Sequence, residues 1–299
     1  MKKVLTYIFL VSVISCGSVE EKKVVQDTIY PTEEGPSDGV LENIYYSIPS
    51  PIEMTKLIRE GGLKFSSDLL FPENELMPFS KKTSTALVLG VLSTDLNYAM
   101  VYEKQKQTSR LLEEVIKLAK QINLSAVIND KTKERIDNNI NNRDSMQIII
   151  SDQFWEIDNM LKENEDHDLA ALLITGGWIE GVHIACGLSL IDTSNKSIKD
   201  IISDQKIVLE NLIQLNKSFE FNDRINDYII SPLTELKTIF DSIPYPIENL
   251  DSTSIKLIDN EYELGNYLTF NLNETDLNLI RNKISSIRQN ILIKILLDF

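Results

Sequence analysis

Imidazole chemistry in this chain is limited to two residues, His167 and His183. His183 follows Glu180 by three positions, so the two share a helical face, and Glu-x-x-His is half of a di-iron bundle signature. The other half needs a second such pair, but the residue three before His167 is Asn164. Cys186 extends the pattern to His-x-x-Cys, which supplies two ligands where a tetrahedral site needs four. A core histidine and a structural thiol account for both residues, and neither a metal nor a cofactor is expected. With so few imidazoles a Ser-His-Asp triad has little material. The chain also contains no Gly-x-Ser-x-Gly, phosphate-cradling loop, dinucleotide fingerprint or metalloprotease helix.

Four polar or aromatic residues stand out against apolar surroundings. Trp178 and Glu180 flank a Gly-lined surface and could face a ligand cleft, or could instead pack and pair inside the core. Asp95 and Tyr98 lie one turn apart in Gly90-Val91-Leu92-Ser93-Thr94-Asp95-Leu96-Asn97-Tyr98-Ala99. Buried polar groups find partners, so a hydrogen-bond network is the default there. If one site matters for ligand or partner contacts, it is built from Asp95, Tyr98, Trp178 and Glu180. Asn141-Asn142-Arg143-Asp144-Ser145 reads as a helix start capped by Asp144 or Asn142.

The elements that must carry these residues are helices. Pro51 near the start and Gly61-Gly62 past the end bound a first one. Apolar residues then recur at three-and-four spacing: Leu89, Leu92, Leu96 and Ala99; Leu111, Val115, Leu118 and Ile122; Met146, Ile150, Ile157 and Leu161. The same period runs through Ile198, Ile201, Val208, Leu212, Leu215 and Phe219, and through Leu277, Ile280, Ile284, Ile287, Ile291 and Ile295. Each series puts a stripe on one helical face. Pro232 should kink or interrupt the helix over residues 225–243. No stretch sustains period-two alternation. The pattern predicts an all-α fold, a single helical-bundle domain of about eight or nine helices.

Residues 169–191 carry only Glu180 and His183 as acidic or basic side chains and are rich in glycine. Their length would span a bilayer, but Glu180 would then sit near its centre at a cost of several kcal/mol. A buried central helix, where small residues admit close neighbours, is the preferred reading. Ser47-Ile48-Pro49-Ser50-Pro51-Ile52-Glu53 is echoed by Ser242-Ile243-Pro244-Tyr245-Pro246-Ile247-Glu248, one connector chemistry used twice rather than a repeat.

The N-terminus points to a destination. Met1-Lys2-Lys3 precedes an apolar run ending in Val13-Ile14-Ser15-Cys16, too short to span a bilayer. It resembles the bacterial lipobox, in which the cysteine is lipidated and becomes the new N-terminus. This divides the chain into a signal peptide over residues 1–15, a lipidated flexible tether over 16–47 and an all-α domain over 48–299. The tether is polar and rich in Glu, Pro and Gly, so it cannot bury enough surface to order itself. Acyl chains on Cys16 would anchor the protein to a membrane and leave Cys186 without a disulfide partner.

Together with the lipobox, Gly90 to Ala99, Asn142-Arg143-Asp144-Ser145 and Gly176-Gly177-Trp178-Ile179-Glu180-Gly181 resemble a group of uncharacterised helical lipoproteins of Gram-negative bacteria. The resemblance covers most of the mature domain and implies an all-α protein of the cell envelope; it brings no reaction, cofactor or site. The expected location of the anchored protein is the outer membrane, on its periplasmic or its surface face.

Composition agrees with a globular domain: 42% hydrophobic and 25% charged residues. Thirty basic residues against 45 acidic ones give a formal charge of -15, which disfavours a nucleic-acid partner. The expected function is that of a lipid-anchored, non-catalytic binding or scaffolding module. Its partners would be the membrane, through the lipid, and an envelope protein or small ligand. The alternative is a small-molecule receptor or carboxylate-based enzyme with a cleft near Trp178 and Glu180.

Overall fold

The computed structural model describes residues 48, 51–72, 81–139, 142–243, 255–258, 261–264, 272–291 and 293. Cys16 and the signal peptide and tether expected over residues 1–47 lie outside them. So does Ile295. The fold is all-α, with ten helices among the described residues.

Pro51 opens α1 (Pro51–Glu60), where its missing N–H costs nothing. Gly62, with φ of 79°, follows its end and takes the left-handed conformation that side chains resist. Residues 63–72 then run as an irregular strap with one 3-10 turn, Ser67–Leu69. Next come α2 (Lys82–Val101), α3 (Gln105–Gln121), α4 (Asp130–Asn139), α5 (Arg143–Glu163), α6 (His167–Ile191) and α7 (Lys196–Lys217). The chain continues through α8 (Asp223–Ile225), a π-helical segment (Asn226–Ile230), α9 (Ser231–Ser242) and finally α10 (Glu274–Asn290).

The expected interruption by Pro232 appears as that π-helical segment. Proline has no N–H for the Tyr228 carbonyl four residues earlier, and Asn290 Nδ2 of α10 donates to that carbonyl at 3.0 Å. Between α9 and α10, strands β1 (Ile255–Ile258) and β2 (Glu261–Leu264) form a small antiparallel ribbon. Four residues each are too few to display a period-two pattern.

Asparagines start five helices. Asn129, Asn142, Asn195, Asn222 and Asn273 each accept a hydrogen bond from a first-turn amide. Each such cap contributes about 1 kcal/mol. At the start of α5 the capping residue is Asn142.

Helix α6 is the central, buried, Gly-rich helix expected from the sequence, but it shares the centre with α2. The stripe of Leu89, Leu92, Leu96 and Ala99 understated α2, which is buried all round from Ser84 to Val101. Both helices are long and apolar enough to cross a membrane, and the rest of the domain covers them. Their mutual packing is the most extensive between elements among the described residues. Two glycines permit it: a Cβ on Gly90 would lie 1.9 Å from the Leu173 carbonyl oxygen, and one on Gly176 would lie 1.9 Å from that of Leu87. Thr94 Oγ1 seals the crossing, at 3.1 Å from both the Gly90 and Gly177 carbonyls. Helices α1, α3, α5, α7 and α10 pack around this pair.

Candidate functional site

Asp95 and Tyr98 on α2 and Tyr102 just past its end recur at three and four residues, so they line one face. That face grips the backbone of the strap. The Phe71 N–H donates to Asp95 Oδ2 at 2.7 Å, and the Ser66 N–H donates to the Tyr98 hydroxyl at 2.9 Å. Tyr102 donates its hydroxyl proton to the Leu63 carbonyl at 2.7 Å. Phe65 stacks on Tyr98 with ring centroids 4.9 Å apart, while Tyr98 and Tyr102 meet edge-on at 5.1 Å. Burial pushes both phenols up, Tyr102 to about 12. At the far end of the strap, the Leu69 side chain fills the space that a Cβ on Gly187 would need.

Glu180 of α6 meets the same face. It is fully buried, as is Asp95, at 0% exposure. Such a charge persists only when paired, and Arg288 of α10 supplies the partner. Arg288 Nε donates to Glu180 Oε2 at 2.6 Å and Nη2 donates to Oε1 at 2.8 Å, a two-pronged pair. Arg288 Nη2 also reaches the Leu69 carbonyl at 3.2 Å, and its guanidinium lies 5.5 Å from the centre of the Phe71 ring.

Asp95 lies close enough to Glu180 for the charge of one to act on the other, and no N–H or O–H among the described residues reaches its Oδ1. Two carboxyls so placed need one proton between them. Burial, followed by the charge of Glu180, drives the Asp95 carboxyl well above the usual range. A proton kept on Asp95 answers both influences; with it in place, Asp95, Glu180 and the Arg288 guanidinium sum to zero charge.

His183, one turn beyond Glu180, is largely buried. Burial lowers it to about 4 despite the nearby Glu180, and its Nδ1 is unbonded among the described residues. It is a neutral imidazole at pH 7. Burial likewise pushes the Cys186 thiol up to about 12, so no thiolate is on hand for chemistry. Arg281 of α10 donates to the Cys186 carbonyl at 3.2 Å and to Ser189 Oγ at 3.1 Å, tying α10 to the last turns of α6. Among the described residues no three His, Cys, Asp or Glu side chains gather to hold a metal ion.

Of the four residues singled out in the sequence, the structure brings Asp95, Tyr98 and Glu180 together and sets Trp178 apart. Trp178, 4% exposed, donates its Nε1 proton to Gln205 Oε1 of α7 at 2.9 Å. Two positions along a helix turn a side chain well away, so Trp178 and Glu180 do not share a cleft. Arg288, Tyr102 and the strap were missed. Arg288 left a signal: like Arg281, it falls inside the stripe of Leu277, Ile280, Ile284, Ile287 and Ile291, where a cation needs a buried partner.

Comparison with family models, with curated proteins and with solved structures finds no match to this chain, so its own geometry carries the functional reading.

Proposed function

We propose that this protein is a lipid-anchored component of the bacterial cell envelope whose helical domain acts as a non-catalytic binding or scaffolding module. The observation that supports this most is how its reactive groups are spent. Asp95, Tyr98 and Glu180 are bonded to the strap and to Arg288, Cys186 is a buried thiol and Trp178 is bonded to Gln205. The polar centre holds the domain together, which leaves recognition to the acidic surface. Residues 1–47 supply the anchor and reach. Anchoring at Cys16 through a tether of about thirty residues lets the domain explore on the order of 30 Å from the membrane.

The test has two arms. Mass spectrometry of the mature chain should find acyl groups on Cys16, and Cys16→Ala should abolish them and move the protein out of the membrane fraction. A mature chain without acyl mass refutes the anchor. Affinity capture from the native envelope should return the same partner with wild type and with Asp95→Asn. Loss of that partner in a folded Asp95→Asn protein would place the buried cluster in the binding site.

A further inference from the structure

The strap differs from every other element packed on the centre. It has no hydrogen-bond ladder of its own beyond one 3-10 turn. Four side chains hold its backbone: Tyr102 at Leu63, Tyr98 at Ser66, Arg288 at Leu69 and Asp95 at Phe71. Gly62, in the left-handed conformation, sits immediately before it. Beneath its Phe71 end lies the pair Asp95–Glu180, two buried carboxyls served by the single guanidinium of Arg288.

We propose that residues 63–71 form a proton-controlled strap, closed while Asp95 and Glu180 hold one proton between them and released when that proton leaves to water. Closed, the cluster sums to zero charge. Loss of the proton makes Asp95 a carboxylate facing Glu180 and leaves one uncompensated negative charge away from solvent. Such a charge is relieved by admitting water. Burial and the charge of Glu180 outweigh the Phe71 N–H bond, which favours the charged form of Asp95, and the helices have their own hydrogen-bond ladders to hold them against opening. Added negative charge tightens Arg288 on Glu180, and α10 is held independently by Arg281 on Cys186 and Ser189 and by Asn290 on Tyr228.

The other charges around α2 do not offset this one. Tyr98, one turn along, stays neutral because burial pushes its phenol up. His183, which faces Glu180 and Arg288 from α6, is neutral above pH of about 4. On α1, Arg59 is engaged with the Val101 carbonyl and Glu103 at the far end of α2. On α3, Glu113 pairs with Lys133 and Glu114 with Lys117; on α5, Asp152 pairs with Arg135.

Amide hydrogen exchange across pH 4 to 8, corrected for intrinsic exchange, tests the proposal on the full mature protein. In wild type, protection at Ser66 and Phe71 should fall as pH rises, approaching tenfold per pH unit for one linked proton, while amides in the middle of α6 stay protected. Asp95→Asn keeps an acceptor for Phe71 without a titrating proton, so its strap protection should not change with pH. Tyr98→Phe removes only the Ser66 acceptor, so protection at Ser66 should drop at every pH with the wild-type slope retained. Strap protection in wild type that is flat with pH overturns the proposal. So does a fall shared equally by α6, which would be global unfolding, or a slope that survives in folded Asp95→Asn.

Discussion

Replacing Gly176 by alanine sets two effects of opposite sign against each other. In an ordinary helix interior, glycine to alanine stabilises by up to about 1 kcal/mol, because alanine gives up less backbone freedom on folding. At Gly176 the added Cβ would lie 1.9 Å from the Leu87 carbonyl oxygen and 2.9 Å from its carbon. Carbon–oxygen contacts settle at about 3.3–3.6 Å, so α2 and α6 must separate by roughly 1.4 Å. A gap of about 1 Å forfeits up to half of each dispersion contact along the interface, and overpacking typically costs about 1–3 kcal/mol or more. Packing therefore wins: Gly176→Ala should destabilise by about 2 kcal/mol or more net of propensity. Gly181→Ala is the control. Its Cβ meets side-chain atoms and no backbone, Met54 Cγ at 3.0 Å, Met54 Cβ at 3.7 Å and Thr94 Cγ2 at 3.9 Å, so it should cost far less than Gly176→Ala. Urea denaturation followed by circular dichroism measures both. Gly90→Ala should resemble Gly176→Ala, and the double variant should cost less than the sum because both open the same crossing. A Gly176→Ala protein more stable than wild type would refute the close approach of α2 and α6.

Glu180→Gln leaves the Arg288 charge buried without its carboxylate and should destabilise by about 3–5 kcal/mol, whereas Asp95→Asn keeps an acceptor for the Phe71 N–H and is neutral like the protonated acid, and should change stability at pH 5 by less than about 1 kcal/mol. Equal losses in the two, read by denaturant titration, would contradict the assignment of the proton to Asp95. His183 stays neutral in the fold down to about 4 against an ordinary 6.5, so the unfolded chain binds the extra proton as pH falls through that window. Stability from this group is complete above 6.5 and lost towards 4, at most about 3 kcal/mol. Asp95 works in the opposite sense, its contribution being lost as pH rises, so the acid-side fall in stability should steepen in Asp95→Asn and flatten in His183→Gln. Finally, in a Cys16→Ala chain the remaining thiol, Cys186, should resist a thiol reagent in native buffer and react on unfolding; fast native labelling would contradict its burial.

Local pattern carried much of the fold. Pro51 and Gly61-Gly62 marked α1, and the small apolar run marked α6 as central. The stripe on α2 understated its burial because Ser84, Thr85, Ser93, Thr94 and Asn97 fill the other faces. Two of them hide their polarity by bonding back along the helix: Thr85 Oγ1 to the Lys81 carbonyl and Thr94 Oγ1 to that of Gly90. Such hydroxyls bury like small apolar groups, and a hydropathy count cannot see it. Asp95, Tyr98 and Glu180 were legible as polar groups among apolar ones, but their partners were not. Glu180 meets Arg288 across 108 residues and Asp95 meets Phe71 across 24; tertiary packing sets such pairings, which no helical period encodes. Trp178 took the second of the two roles its surroundings offered: it packs in the core, bonded to Gln205, and the sequence did not name that partner.

The central claim is that the buried centre holds one proton on Asp95, beside a Glu180 carboxylate paired with Arg288. Carbon-13 NMR of the side-chain carboxyls, with Asp95→Asn used to assign the Asp95 resonance, reads that proton directly. Asp95 should show the shift of a protonated acid at pH 5 and titrate well above its ordinary 3.8. An Asp95 signal that titrates at or below 3.8 would mean that both carboxyls are ionised in the core, and would contradict the account of how this centre is held together.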